Sequence, residues 1–143
     1  MQALDANLLV QLNAIRSAHG LVPLKANAVL ARAAEAHSAE MIARGYFAHT
    51  SFDGSPFWKR LNAYVGDAPN RTWSVGENLL WSSPDVDPAQ AVQLWMAGPE
   101  HRQNILTARW REIGVGALHA DSAPGTYGGH AVTVITTDFG VRE

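Results

Sequence analysis

Residues 91–116, AVQLWMAGPEHRQNILTARWREIGVG, carry the signals that decide the fold of this chain. Within this stretch, Ala91, Val92, Trp95 and Met96 recur at the spacing of one face of an α-helix. Two of the five tryptophans of the chain lie here, so the stretch supplies a large part of the apolar core. We therefore predict a buried helix here, followed by further core elements.

The ends of this helix are also marked. Asp87 is a typical N-cap residue and Pro88 suits the first helical position, so we expect the helix to begin there. The pair Gly98 and Pro99 ends it, because proline cannot continue the hydrogen-bond ladder of a helix. Residues 100–106 then form a tight turn or one further helical turn.

A strand follows the helical part of the stretch. Residues 113–120 alternate, which places apolar side chains on one face and Gly114 and Gly116 on the other. Two glycines on one face predict that another segment passes close to the strand. We expect residues 121–129 to form a hairpin loop, and residues 130–139 to form the last strand.

The first half of the chain is mainly helical. The strongest helix signal is flanked by Asn27, a plausible N-cap, and Gly45, a plausible C-terminal cap. The other predicted elements are a helix at 4–19, the capped helix at 27–44, one or two helical turns at 56–63, an extended segment at 73–81, and loops at 45–56 and 64–72. This order predicts one α+β domain over residues 1–143, with an antiparallel sheet.

Composition excludes several classes of function. The chain has no cysteine, so disulfides and thiolate-bound metals are absent. The net charge is −2 and forms no basic stripe, which argues against nucleic acid as a partner. No apolar run is long enough to span a membrane, and residues 1–20 show no signal peptide.

Common catalytic motifs are also missing. The sequence has no Walker loop, no H-E-x-x-H zinc helix and no G-x-S-x-G elbow. Three residues on separate elements remain as site candidates, namely His49, Glu77 and His101. Two imidazoles and one carboxylate could bind Zn²⁺ or another divalent cation. Their spacing alone does not distinguish this from a surface histidine at position 49 and a tethering carboxylate at position 77.

Several motifs resemble the CAP superfamily of cysteine-rich secretory proteins, antigen-5 allergens and pathogenesis-related proteins, in its bacterial SCP-domain branch. The resemblance covers residues 4–140, with matching segments in the order HTS at 49–51, GENLL at 76–80, AVQLWM at 91–96, HRQNIL at 101–106, W-x-x-IGVG at 110–116 and TTDFG at 136–140. It implies a three-layer α-β-α sandwich, with helices on both faces of a small, twisted antiparallel sheet.

The resemblance also implies a cleft lined by two histidines and two glutamates. His49, Glu77 and His101 match three members of this tetrad, and Gly98 stands where we expect the fourth. Glu100 could substitute for the missing carboxylate. An incomplete tetrad implies a weaker and more hydrated cation site.

Three functions stay open at this point. The first is a secreted domain, extracellular or periplasmic, whose cleft holds a lipid, sterol or cell-wall fragment, with or without a weakly bound cation. The second is a metal-assisted, peptidase-like hydrolase with Glu77 as general base. The third is a non-catalytic scaffold or interaction domain. The vacancy at Gly98 favours binding over catalysis, and a monomer is the default.

Overall fold

The structure, a computed structural model, describes residues 3–66 and 73–142. These residues form five α-helices, one 3-10 turn and a four-stranded sheet. In chain order the helices and strands are α1 (Ala3–Ala18), β1 (Lys25–Ala26), α2 (Ala28–Arg44), α3 (Phe57–Val65), β2 (Trp73–Ser82), α4 (Pro88–Ala97), α5 (Pro99–Ile105), β3 (Glu112–Ala120) and β4 (Val132–Arg142).

The sheet has the strand order β1-β3-β4-β2. The three long strands pair antiparallel, as the sequence predicts. The short strand β1 was not predicted, and it pairs parallel with β3 through Lys25 and Ala26. Two residues carry no periodic pattern, so only the folded chain reveals this strand.

Helices cover both faces of the sheet. On one face, α1 and α4 pack on the apolar side of β3 and β4 through Leu8, Leu12, Val92, Trp95, Ile113, Val115, Ile135 and Phe139. On the other face, Met41 of α2 packs with Leu79, Val132 and Val134, and Leu30 of α2 and Leu61 of α3 form a second cluster with Trp73 and Val75. The predicted three-layer α-β-α arrangement of an α+β domain is confirmed.

The residues that cap α2 and α4 are those predicted from the sequence. The Asn27 side chain accepts hydrogen bonds from the amides of Val29 and Leu30 at the start of α2. Gly45 ends that helix in the left-handed conformation, with φ of 70°. Asp87 forms a capping box with Gln90 at the start of α4. The predicted turn at 100–106 lies in a separate helix, α5, which spans Pro99–Ile105 and ends at the C-cap residue Leu106.

The glycine face of β3 determines how closely α2 lies on the sheet. A Cβ at Gly114 would overlap the backbone of Leu30, and a Cβ at Gly116 would overlap the backbone of Glu35. The Ser38 hydroxyl donates a 2.7 Å hydrogen bond to the Gly116 carbonyl across this contact. The helix backbone therefore rests almost directly on the strand, which positions the loop that follows α2.

A buried arginine of α1 anchors α5 within the same helical layer. The Arg16 side chain is fully buried and donates hydrogen bonds to the carbonyls of Ile105, Thr107 and Trp110. These carbonyls lie at the end of α5 and in the connection to β3, where regular structure does not satisfy them. Arg16 thus places the helix that carries His101.

Of the predicted loop 64–72, only residues 64–66 belong to the described part of the chain, and they end α3. No helix among residues 3–66 and 73–142 has the length and apolar character needed to cross a membrane.

We predict that Gly114→Ala destabilises the fold by at least about 3 kcal/mol, because the new methyl group would collide with the backbone of α2. Gly98→Ala is the control: its new Cβ would lie 3.0 Å from the His101 ring, which can rotate away, so a loss within about 1 kcal/mol is expected. Urea unfolding of both variants measures the difference. An equal loss of unfolding free energy in both variants would contradict the close contact between α2 and β3.

Candidate functional site

Glu77 lies at the centre of a buried polar cluster. It belongs to β2, and strand alternation directs its side chain to the face covered by α2 and α3, where it is completely buried. Its Oε1 atom lies 3.0 Å from Nδ1 of His49, and Nη2 of Arg60 lies 2.9 and 2.7 Å from its two oxygens. The carboxylate therefore has charged or polar partners on both oxygens.

Arg60 is the fixed cation of this cluster. Its side chain extends from α3 and is only 9% exposed. Besides binding Glu77, Nη2 donates a 3.0 Å hydrogen bond to the carbonyl of His49, and Nη1 lies 3.9 Å from Asp138. One guanidinium thus joins α3, the loop after α2 and two strands.

Asp138 adds a second carboxyl group to the cluster. It stands directly opposite Glu77 in the β2–β4 register and is completely buried. Its oxygens accept no hydrogen bond from the described residues, which an ionised carboxylate at this depth would need. A protonated carboxyl that donates to Glu77 satisfies the same geometry.

The pKa values of Glu77 and Asp138 shift in opposite directions. Burial tends to raise the pKa of Glu77, but hydrogen bonds from Asp138 and His49 and the charge of Arg60 lower it to about 2. Burial and the adjacent negative charge of Glu77 raise the pKa of Asp138 well above its usual range. Of the two carboxyl groups, Asp138 therefore holds a proton more tightly, and Glu77 is the ionised one beside the Arg60 cation.

His49 is the most accessible member of the cluster. Its side chain is 50% exposed, and its ring lies 6.0 Å from that of Phe57. Because the Glu77 carboxylate can only accept, Nδ1 of His49 carries the hydrogen. Nε2 is then the ring atom left to interact with a ligand.

His101 approaches from the other layer. It lies on α5, and its carbonyl accepts a 3.0 Å hydrogen bond from the side chain of Asn78. Glu77 and Asn78 are consecutive in β2, so their side chains leave opposite faces of the sheet. Glu77 thus bonds His49 while Asn78 bonds the backbone of His101, and both histidines line one cleft beside β2.

That cleft, the His49–His101 cleft, has a volume of about 370 Å³. Its walls are mainly apolar and comprise Phe47, Ala48, His49, Leu79, Leu80, Trp81 and His101. The edge of β2 is closed to strand pairing here, because Trp95 and Asn104 donate side-chain hydrogen bonds to the carbonyls of Leu79 and Glu77. The cleft therefore presents side chains rather than a free strand edge.

The predicted site residues have different positions in the structure. His49 and Glu77 are in direct contact, and His101 shares the cleft with His49. Glu100 is exposed in the first turn of α5 and takes no part in the cluster. Gly98 lies beside the His101 ring, where an added Cβ would come within 3.0 Å of Nδ1.

The sequence reasoning missed two members of the cluster. Asp138 could have been found, because a carboxylate in the apolar TTDFG strand needs a partner, as Glu77 does in its own strand. Arg60 gave no such signal, since a charged residue on a short amphipathic helix is ordinarily exposed. Among residues 3–66 and 73–142, no group of three His, Asp or Glu side chains is arranged to hold a metal ion.

Sequence relatives extend over most of this chain. A relative from Bacillus subtilis strain 168, the uncharacterized protein YkwD, is 33% identical over 111 residues, which are 77% of this chain and 40% of YkwD. The uncharacterized membrane protein YlbC of the same strain is 32% identical over 104 residues, or 73% of this chain and 28% of YlbC. The chain thus spans less than half the length of these relatives.

Solved structures share the fold. An extracellular SCP-domain protein from Bacillus anthracis aligns over 96% of this chain and 41% of its own length, with a TM-score of 0.70 and 26% identity. An outer surface protein from Borrelia burgdorferi aligns over 95% of this chain and 90% of its own, with a TM-score of 0.71 and 18% identity. The second likeness concerns the fold alone.

The sequence model of the cysteine-rich secretory protein family, CAP, matches residues 9–136. That range contains the HTS, GENLL and HRQNIL motifs and both histidines of the cleft. Although it has no cysteine, this chain belongs to the CAP family and is a bacterial SCP-domain protein.

Proposed function

We propose that this CAP domain is a secreted binding domain whose His49–His101 cleft holds a small hydrophobic ligand, such as a lipid or sterol, or an apolar part of a cell-wall component. The proposal rests on one contrast: the cleft walls are mainly apolar, whereas the Glu77 carboxylate is buried and does not line the cleft. The cleft lies within the usual size range of ligand sites, whose walls are mainly apolar with a few polar groups. His49 and His101 supply those polar groups.

The state of Glu77 argues against a hydrolase. A general base works best with a pKa near the working pH. Glu77 has a pKa of about 2, and Arg60 and His49 occupy both of its oxygens. Its side chain is also completely buried, so a substrate water would first have to displace existing partners.

An extracellular or periplasmic location is part of the proposal. The similar protein from Bacillus anthracis is described as extracellular, and one from Staphylococcus aureus, with 20% identity and a TM-score of 0.62, as a cysteine-rich secretory protein. These descriptions concern those proteins and support the same location for this one.

The ligand proposal predicts that Phe47→Ala weakens binding at least about tenfold, because the exposed ring at the cleft rim would cover an apolar ligand. Fluorescence titration with a dansyl-labelled fatty acid and a fluorescent sterol measures the affinity. Phe52→Ala is the matched control, since Phe52 is also exposed but does not line this cleft. Equal affinities of the two variants, or no binding by the unaltered domain, would refute the proposal.

A weakly bound divalent cation stays a prediction, and the residues fit it poorly. The Arg60 guanidinium already neutralises Glu77, and a second cation there would meet its positive charge. In the described part of the chain His101 makes no hydrogen bond to the carboxylate, and the expected fourth carboxylate is replaced by Gly98. Without Glu77, two histidines would be the only predicted ligands left for the ion.

We therefore expect calorimetric titration with Zn²⁺ to give the same weak heat for the unaltered domain and for His101→Ala. A heat that disappears in His101→Ala, together with peptidase or esterase activity that requires Zn²⁺, would favour the hydrolase instead. Glu100→Gln serves as the control, because Glu100 is exposed and outside the cluster.

The third possibility is that the buried cluster has a structural role. The raised pKa of Asp138 lets this role be tested through the pH dependence of stability. A carboxyl whose pKa is raised by folding retains its proton in the folded state while the unfolded chain releases it. Stability then falls as the pH rises above the ordinary Asp value, by up to about 1.4 kcal/mol per pH unit. Asparagine at this position cannot ionise.

We predict that the stability of Asp138→Asn, relative to the unaltered domain, improves as the pH rises above about pH 4.5, because this lies above the ordinary Asp pKa of about 3.9. Urea unfolding at several pH values measures this trend. The exposed Asp85→Asn serves as the control and should show no such trend. A constant difference for Asp138→Asn would mean that Asp138 is ionised in the folded protein.

A further inference from the structure

A second cleft lies on the other side of the loop that carries His49. This loop–helix cleft is formed by α2, loop residues 51–55 and α3, and has a volume of about 510 Å³. It shares no lining residue with the His49–His101 cleft. Its role can therefore be tested independently of the function proposed above.

The loop wall of this cleft is preformed. The Ser51 amide donates to the Ser55 carbonyl and the Gly54 amide to the Ser51 carbonyl, both at 2.9 Å. The Phe52 amide donates a 2.7 Å hydrogen bond to Glu40 on α2. Because these bonds hold the loop, a ligand would meet an ordered wall and lose less entropy on binding.

The floor of the cleft has unused hydrogen-bonding capacity. His37 is 1% exposed, and its Nε2 donates a 2.8 Å hydrogen bond to the Ala48 carbonyl, which makes Nδ1 an acceptor. Nδ1 of His37 and Nε of Arg60 form no hydrogen bond with the described residues. Both side chains have other partners, but buried polar atoms usually do as well, and since both residues line this cleft, a polar group bound there could complete their hydrogen bonding. A hydroxyl can both donate to histidine and accept from arginine.

Aromatic rings form the rim. Phe52 is 58% exposed and Tyr64 is 40% exposed, and both line the cleft. The Phe52 ring is held in place by Arg44, whose guanidinium carbon lies 4.7 Å from the ring centre. Exposed rings of this kind offer flat apolar faces on which a ring with C–H groups can stack.

The charges along the cleft cancel. Arg44 and Lys59 are balanced by Glu40 and Asp53, and the Arg60 cation is already neutralised by Glu77. This balance gives no long-range attraction for an anion or a cation. It suits a neutral ligand that makes many short hydrogen bonds.

From this combination we propose that the loop–helix cleft binds a neutral saccharide of one or two rings. The apolar face of a sugar ring would stack on Phe52 or Tyr64. Its hydroxyls would reach the polar side chains between them, including Ser51 and Ser55. The cleft volume lies in the usual range for small-molecule sites.

Saturation-transfer NMR and calorimetry with maltose, cellobiose and diacetylchitobiose as neutral probes test this proposal. At least one of them should bind, and Phe52→Ala should weaken that binding at least about tenfold through loss of the stacking surface. Tyr64→Ala should also weaken it. Phe47→Ala alters the His49–His101 cleft and should bind the saccharide as the unaltered domain does. It is therefore the control here, as Phe52→Ala is the control in the fatty-acid experiment.

Several results would overturn the proposal. One is the absence of binding for every neutral probe, and another is an affinity that neither Phe52→Ala nor Tyr64→Ala changes. Tighter binding of glucuronate than of all neutral sugars would refute the argument from charge balance. Because all three substituted rings are exposed, thermal unfolding should show that the variants remain folded.

Discussion

The buried pair of Arg60 and Glu77 is the interaction on which the site depends. A carboxylate removed from water is stable only with charged or hydrogen-bonding partners, and Arg60 supplies both. Removing one partner of such a pair typically costs about 3–5 kcal/mol, since the other charge remains buried. The same guanidinium holds the His49 carbonyl, so the ion pair also positions the loop between the two clefts.

Most of the fold could be predicted from local patterns. The caps at Asn27 and Asp87 and the alternation of residues 113–120 depend on interactions between near neighbours in sequence, and the structure confirms them. The two-residue strand at Lys25 and Ala26 could not be predicted, because its hydrogen bonds join it to β3, far away along the chain. The resemblance to the CAP family supplied the layer order that local patterns leave open.

The candidate site was less predictable, because its chemistry arises from long-range pairing. Register alone brings Asp138 beside Glu77, and no pattern in either strand states that register. The predicted meeting of His101 with Glu77 stays a prediction: Glu77 bonds His49, and the next residue in the strand, Asn78, bonds the backbone of His101. The contact of Arg60 with Glu77 could not be predicted from the sequence, because it depends on where α3 packs.

The loop between α2 and α3 has little regular structure, yet side chains behind it determine its path. His37 binds the Ala48 carbonyl and Arg60 binds the adjacent His49 carbonyl. Beyond them, Glu40 binds the Phe52 amide. Irregular backbone that is held in this way can present different side chains on its two sides: Phe47, Ala48 and His49 line the cleft beside β2, and Ser51, Phe52, Asp53 and Ser55 line the cleft beside α3. Two clefts with different linings therefore lie on the two sides of one loop, and the Glu77–Arg60 pair contacts that loop through His49.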